Sequence, residues 1–191
     1  FSQSTITRVT AHAADQTQPT MAVAANNAVT VVWTDMRHGN ADLYGAASTA
    51  NWTNVPVVTA AGAQMSPALA AIPDSPVLYL AWADDRPGHW DIYYASLNGL
   101  PANPISGASI IDDSGAADQT APAIVCTNDQ RVFVCWEDLR HAARPGGDSD
   151  IYVVELGAGA GRTNVLVGDD GTNSSQSEPA LGIDSHGHAY V

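Results

Sequence analysis

Three stretches of the chain set an indole, a carboxylate and a guanidinium at alternate positions: Trp33-x-Asp35-x-Arg37, Trp82-x-Asp84-x-Arg86 and Trp136-x-Asp138-x-Arg140. Each is followed by an aspartate and a tyrosine two apart: Asp42 and Tyr44, Asp91 and Tyr93, Asp150 and Tyr152. Two kinds of chemistry are open to such a set. The planar guanidinium can bridge two carboxylates, or hold carbonyls at the end of a hairpin, and so lock the turn. Alternatively, a ring of arginines or aspartates can line one opening of the fold and meet a charged ligand. A group needed once per repeat serves the repeat, so the structural reading is preferred for all of these residues. Trp and Tyr are read the same way, as aromatic area between sheets with a polar tip that finds a partner.

Candidate sites are therefore sought where the copies disagree. His89 and Trp90 stand where the first copy has Asn40 and Ala41. His38 and His141 follow the motif arginine, where the second copy has Pro87. Trp52 heads an outer strand, and Arg144 lies in an insertion, residues 141–149, unique to the third copy. The binding candidates are Trp90, His89, Trp52, His141 and Arg144: an exposed indole can stack on a sugar, and the others can donate hydrogen bonds. Three imidazoles could hold a metal if His38, His89 and His141 converged, but loops of separate repeats usually stand too far apart. No cofactor is expected. Ca²⁺ is the one ion that the acidic loops at 112–115 and 169–173 could take, though neither has the spacing of a calcium loop, and polar turns are the preferred reading. His186-Gly187-His188 reads as a hairpin turn. No catalytic residue is assigned: there is no Gly-x-Ser-x-Gly, no Ser-His-Asp grouping, and no carboxylate pair that stands out for glycoside hydrolysis.

The elements that position these residues repeat with them. Gln-x-x-Pro precedes each motif, at Gln16/Pro19, Gln64/Pro67 and Gln119/Pro122, and a fourth copy opens at Gln176/Pro179. Segments 28–33, 77–82 and 132–136 are apolar at nearly every position, which predicts strands buried on both faces. Such strands, joined by hairpins and repeated about every 50 residues, describe the four-stranded blades of a β-propeller. The predicted inner strands are 20–25, 68–71, 123–127 and 180–183, each begun by the proline. The second strands end at the Trp, the third carry Asp-aliphatic-Tyr, and the outer ones lie at 55–59, 105–111 and 164–167. Residues 6–10 read as an outer strand, with 1–15 as outer strand and linker of a preceding or shared blade. The repeats are placed at 16–60, 64–112, 119–168 and 176–191, all in one domain. The fold class is all-β: about three full blades and a partial fourth, within a larger propeller or one completed by association of chains.

Composition narrows the partners. The formal net charge is −13, all seven basic residues are arginines, and there is no lysine. That balance argues against nucleic acid and against a polybasic membrane surface, and no apolar run is long enough for a helical span. The chain starts without Met and stops inside an apparent strand, so it reads as a piece of something longer. Cys126 and Cys135 fall on consecutive strands of one hairpin, but the parity of a tight turn sets them out of register, so free buried thiols are expected.

Gln-x-x-Pro, apolar-Trp-x-Asp-x-Arg and Asp-Ile-Tyr together resemble the repeat of secreted bacterial propellers in the sialidase-like superfamily, and are similar to strands of the periplasmic TolB repeats. The resemblance covers roughly residues 16–191. It implies a propeller and an extracellular, periplasmic or cell-surface location. The sialidase Asp-box has no clean copy here, and the family's arginine triad and Tyr/Glu pair match no residues of this chain. The expected function is a non-catalytic scaffold or recognition module with a glycan or protein ligand. The rivals are a carbohydrate-active enzyme completed by further blades and a lectin assembled from several chains.

Overall fold

The computed structural model describes residues 6–111, 115–141, 148–157, 163–168 and 174–191. Three antiparallel sheets of four strands follow one another, each laid down in chain order. Blade 1 is β1 (Gln16–Val23), β2 (Val29–Asp35), β3 (Asp42–Ala47) and β4 (Val55–Val58). Blade 2 is β5 (Gln64–Ala71), β6 (Val77–Asp84), β7 (Asp91–Asn98) and β8 (Ser109–Ile110). Blade 3 is β9 (Gln119–Cys126), β10 (Val132–Asp138), β11 (Asp150–Leu156) and β12 (Val165–Leu166). The fourth copy contributes one hairpin, β13 (Gly182–Ile183) with β14 (Ala189–Tyr190).

Hydrophobic runs on both faces of the second strands explain how the sheets stack. Val32, Leu43, Val57 and Val58 of blade 1 pack on Leu69, Leu78, Leu80 and Trp82 of blade 2. Ala81, Ala83 and Ile92 of blade 2 pack on Val132, Val134, Trp136 and Val154 of blade 3. Successive side chains of a strand point to opposite faces, so β6 of the middle blade serves both blade interfaces. Full burial of the Val, Leu and Ile side chains contributes about 1.5–3 kcal/mol each. On the outward face of blade 1, Trp33 packs instead with Val9, Val31 and Trp52. Met21 and Val23 there remain 66% and 52% exposed, whereas Leu69, equivalent to Met21 one blade later, is 8% exposed.

Backbone bonds join the blades at repeated places. The amides of Gln64, Gln119 and Gln176 donate to the carbonyls of Ala41, Trp90 and Ser149 at 2.8, 2.7 and 2.8 Å. Each acceptor immediately precedes the Asp that opens the third strand of the previous blade. The glutamine therefore marks the junction between blades, which is why Gln64 and Gln119 are buried.

Several sequence expectations are corrected. In the first three copies the inner strands begin at the glutamine, not after the proline, and the second strands continue two residues past the Trp to the Asp; in the fourth the inner strand is Gly182–Ile183. The reason is a bulge at the proline, which lets pairing resume on its other side. Residues 6–10 form no strand. They lie against blade 1, where the Asn54 side-chain amide donates to the Val9 carbonyl at 2.8 Å in place of a ladder. The loose outer strand predicted over 105–111 is only two residues long.

Cys126 and Cys135 are both buried and free. Val132 lies opposite Cys126 and Ala123 opposite Cys135, so the register sets the two thiols on different rungs. Burial pushes both thiols up to about 11. Among the described residues no helix is long and apolar enough to cross a membrane.

Candidate functional site at the inner-strand bulges

The repeated residues meet one another at the hairpin between the second and third strands. Trp33 lies opposite Tyr44 and Asp35 opposite Asp42, and both pairings recur in blades 2 and 3. The indole N–H of Trp33, Trp82 and Trp136 donates to Oδ2 of Asp35, Asp84 and Asp138 at 2.8, 2.9 and 2.9 Å. The guanidinium two residues on closes against the same carboxylate, at 2.7 Å for Arg37 and 2.5 Å for Arg86 and Arg140. It also lies over the tyrosine ring, with Cζ 3.8, 4.5 and 4.1 Å from the centroids of Tyr44, Tyr93 and Tyr152. Burial alone would raise the Asp35 pKa, but hydrogen bonds from Arg37 and Trp33 hold it below its ordinary value.

Each arginine pairs with the first aspartate of its blade. The second aspartate of each pair is met by another group. His89 Nε2 lies 3.1 Å from Asp91, and His141 Nδ1 lies 2.6 Å from Asp150. In blade 1 that place is taken by Asn40, 3.4 Å from Asp42, while His38 bonds the Tyr44 hydroxyl at 2.7 Å. Burial raises the Asp42 pKa despite the nearby His38 and Asn40. Two carboxylates facing each other on one rung repel, and separate cationic or amide partners relieve that repulsion.

The candidates chosen from disagreement between copies stand apart from one another. Trp90 packs into the core between blades 2 and 3, and its amide donates to Asp118 at 2.9 Å. Trp52 packs beside Trp33 and Tyr44, with a left-handed backbone at φ 58°. His89 and His141 hold the buried aspartates of their own blades. Arg144 lies outside the described residues, as do Asp112, Asp113 and the loop 169–173 considered for Ca²⁺. Among the described residues no group of His, Cys, Asp or Glu forms a metal-binding cluster. In the fourth copy the Asp184 carboxylate accepts the His186 and His188 amides at 2.8 and 2.9 Å and caps the hairpin.

A different set of four residues converges. In β1, Thr17 pairs with Thr34 and Thr20 with Val32, so Gln18 and Pro19 together oppose the single residue Trp33. Ser66 and Pro67 oppose Trp82 in the same way, and Ala121 and Pro122 oppose Trp136. An extra residue of this kind is a β-bulge, a position where proline's missing N–H is tolerated. The residue before each proline takes the left-handed conformation in all four copies: Gln18 at φ 51°, Ser66 at 52°, Ala121 at 51° and Glu178 at 55°. Left-handed backbone at a non-glycine residue costs about 1–2 kcal/mol. Here it is held between a fixed proline and the Trp rung.

The three bulges and the left-handed turn at Glu178 bring four residues, with the prolines that follow them, around one wide-open depression of about 320 Å³. The inner strands β1, β5 and β9 pack side by side, so the cavity sits where they converge. Side chains from the neighbouring blade fix the bulge amides. The Ser66 amide donates to Gln18 Oε1 at 3.1 Å and to Thr34 Oγ1 at 3.3 Å, and the Glu178 amide donates to Glu137 Oε1 at 2.5 Å. Thr34 and Glu137 are the residues that follow the motif Trp. Sequence reasoning passed over this tetrad because it treated Gln-x-x-Pro as punctuation. The signal was present: Gln18, Ser66, Ala121 and Glu178 differ between a constant Gln and a constant Pro.

The fold is similar to that of TolB from Acinetobacter baumannii, with a TM-score of 0.53 and 11% identity, over 87% of this chain and 35% of that one. It is also similar to a subtype N10 neuraminidase-like protein of A/little yellow-shouldered bat/Guatemala/060/2010, with a TM-score of 0.51 and 11% identity, over 82% of this chain and 46% of that one. Both are β-propellers. This chain is a run of propeller blades. It spans less than half the length of either similar chain, and at such identity the likeness is one of fold alone. No protein-family profile and no curated protein matches the sequence.

Proposed function

We propose that this chain is a recognition module of a β-propeller, without catalysis of its own, in an extracellular, periplasmic or cell-surface protein. The observation that carries the reading is the division of labour between the two repeated sites. The carboxylates and guanidinia of Trp-x-Asp-x-Arg are consumed by one another inside each blade. The four residues that precede the prolines instead differ in chemistry and line one shared depression. A propeller that spends its charged motif on blade geometry and varies the cavity side chains is organised to bind. The location rests on the resemblance to secreted and periplasmic propeller repeats.

Two parallel assays test it. The chain is offered a panel of fluorogenic aryl glycosides, and its fluorescently labelled form is applied to a mixed glycan and peptide array. The reading predicts binding to at least one class on the array and no fluorophore release above buffer. Release of fluorophore would replace it with the carbohydrate-active reading, and an array with no binder would contradict recognition outright.

A further inference from the structure

The open depression lined by the three bulges and the Glu178 turn has a definite chemical character. Its lining consists of Gln18, Ser66, Ala121 and Glu178, and the proline after each. Among the described residues the only charged group in that lining is the Glu178 carboxylate, and a second carboxylate, Glu137, is bonded to the Glu178 amide. No arginine among the described residues lines the cavity. Arg37, Arg86 and Arg140 are paired with the motif aspartates, Arg131 with Glu155, and Arg8 with the Thr10 carbonyl. The polar groups of Gln18 are committed: its Oε1 accepts from Thr34 and Ser66, and its Nε2 donates to Ser66 Oγ at 2.9 Å. Ala121, the smallest of the four, leaves room in the lining. The proline rings offer apolar surface along which a methylene chain can lie while its charged end reaches a carboxylate.

Resting on the recognition reading above, we propose that this cavity receives a cationic side chain, the ammonium or guanidinium of a lysine or arginine on a peptide partner, with Glu178 as its counter-charge. The net charge of −13 steers a basic partner towards the chain and repels an anionic one such as a sialylated or phosphorylated ligand.

The test is a titration of the ¹⁵N-labelled chain with the acetylated, amidated pentapeptide Gly-Gly-Lys-Gly-Gly, followed by amide chemical shifts at near-physiological salt. The same peptide with norleucine in place of lysine is the control. Shifts are expected at Ser66, Ala121 and Glu178 and are absent with norleucine. Glu178→Gln weakens binding about fivefold, the scale of a partly exposed ion pair. Ala121→Asp, an acid at a position where Asp tolerates a left-handed backbone, tightens it by a similar factor.

Unchanged affinity in both variants, or shifts spread over the acidic surface away from the bulges, would overturn the proposal. If the lysine peptide is silent while a neutral glycan moves the same amides, the cation is wrong and the recognition reading stands. Fluorophore release from a glycoside that is lost in Glu178→Gln would remove both.

Discussion

The Gln18 side-chain amide donates to Ser66 Oγ at 2.9 Å, across 48 residues of chain. The two residues hold the same place in consecutive repeats, the third position of Gln-x-x-Pro. Both have left-handed backbones, and both oppose a motif tryptophan across a bulge. The contact joins repeat to repeat at the wall of the shared cavity, so blade stacking and cavity shape are set by the same residues.

Backbone strain at the bulges is measurable through Ala121. Glycine removes the Cβ penalty of the left-handed region but brings more unfolded-chain entropy, for a net gain of about 0.5 kcal/mol. Ala121→Gly should therefore raise the melting temperature slightly. Ala121→Val, β-branched at φ 51°, should lower it. The two variants in one thermal-denaturation series check the sign of both effects.

The Trp82–Asp84–Arg86 cluster should act as a structural unit. Asp84→Asn leaves the Arg86 guanidinium without its counter-charge in a partly buried place, at a cost of about 3 kcal/mol. Trp82→Phe removes both indole volume and the N–H that bonds Asp84, and should cost a similar amount. Urea denaturation of the two singles and the double should reveal coupling, with the double costing less than the sum.

Acid stability should report blade 1 directly. The folded Asp35 pKa lies below its unfolded value of about 3.9. Its contribution is therefore whole above that value and is lost as pH falls through the folded pKa. Asp42 has the opposite sign: burial raises its folded pKa, so its ionised form opposes folding and the penalty is relieved as pH falls. Asp35→Asn should lower stability at neutral pH and flatten the acid limb of melting temperature against pH. Asp42→Asn should raise stability at neutral pH and steepen that limb.

The two cysteines should be silent until the chain unfolds. Both thiols are buried, and burial pushes each up to about 11, so the reactive thiolate is scarce at neutral pH. Without reductant, a thiol reagent should label neither Cys126 nor Cys135 in the native chain and both in denaturant. Failure to label the denatured chain would reveal a disulfide.

Architecture was far more legible in the sequence than the site. Apolar runs such as Val77–Trp82 and turn residues such as Asn26-Asn27 mark strands and hairpins locally, and their recurrence supplies the blade. The free state of Cys126 and Cys135 also follows from strand parity. What stayed hidden depends on pairing between strands. Pro19, Pro67 and Pro122 read as strand starts because proline cannot join a ladder, and only the register shows the ladder resuming beyond them. The partners of Asp91 and Asp150 were missed because His89 and His141 looked like loop residues free to bind. The tetrad of Gln18, Ser66, Ala121 and Glu178 becomes visible only once the inner strands are brought side by side.

In the proposed division of labour the constant motif builds the blades and the variable residues before the prolines bind. Amide chemical-shift mapping with the tightest ligand from the mixed glycan and peptide array tests it most directly. Perturbations should concentrate around Gln18, Ser66, Ala121 and Glu178, with little change at Asp35, Asp84 and Asp138. Perturbations centred on the Trp-x-Asp-x-Arg hairpins, with the bulge amides unmoved, would contradict it.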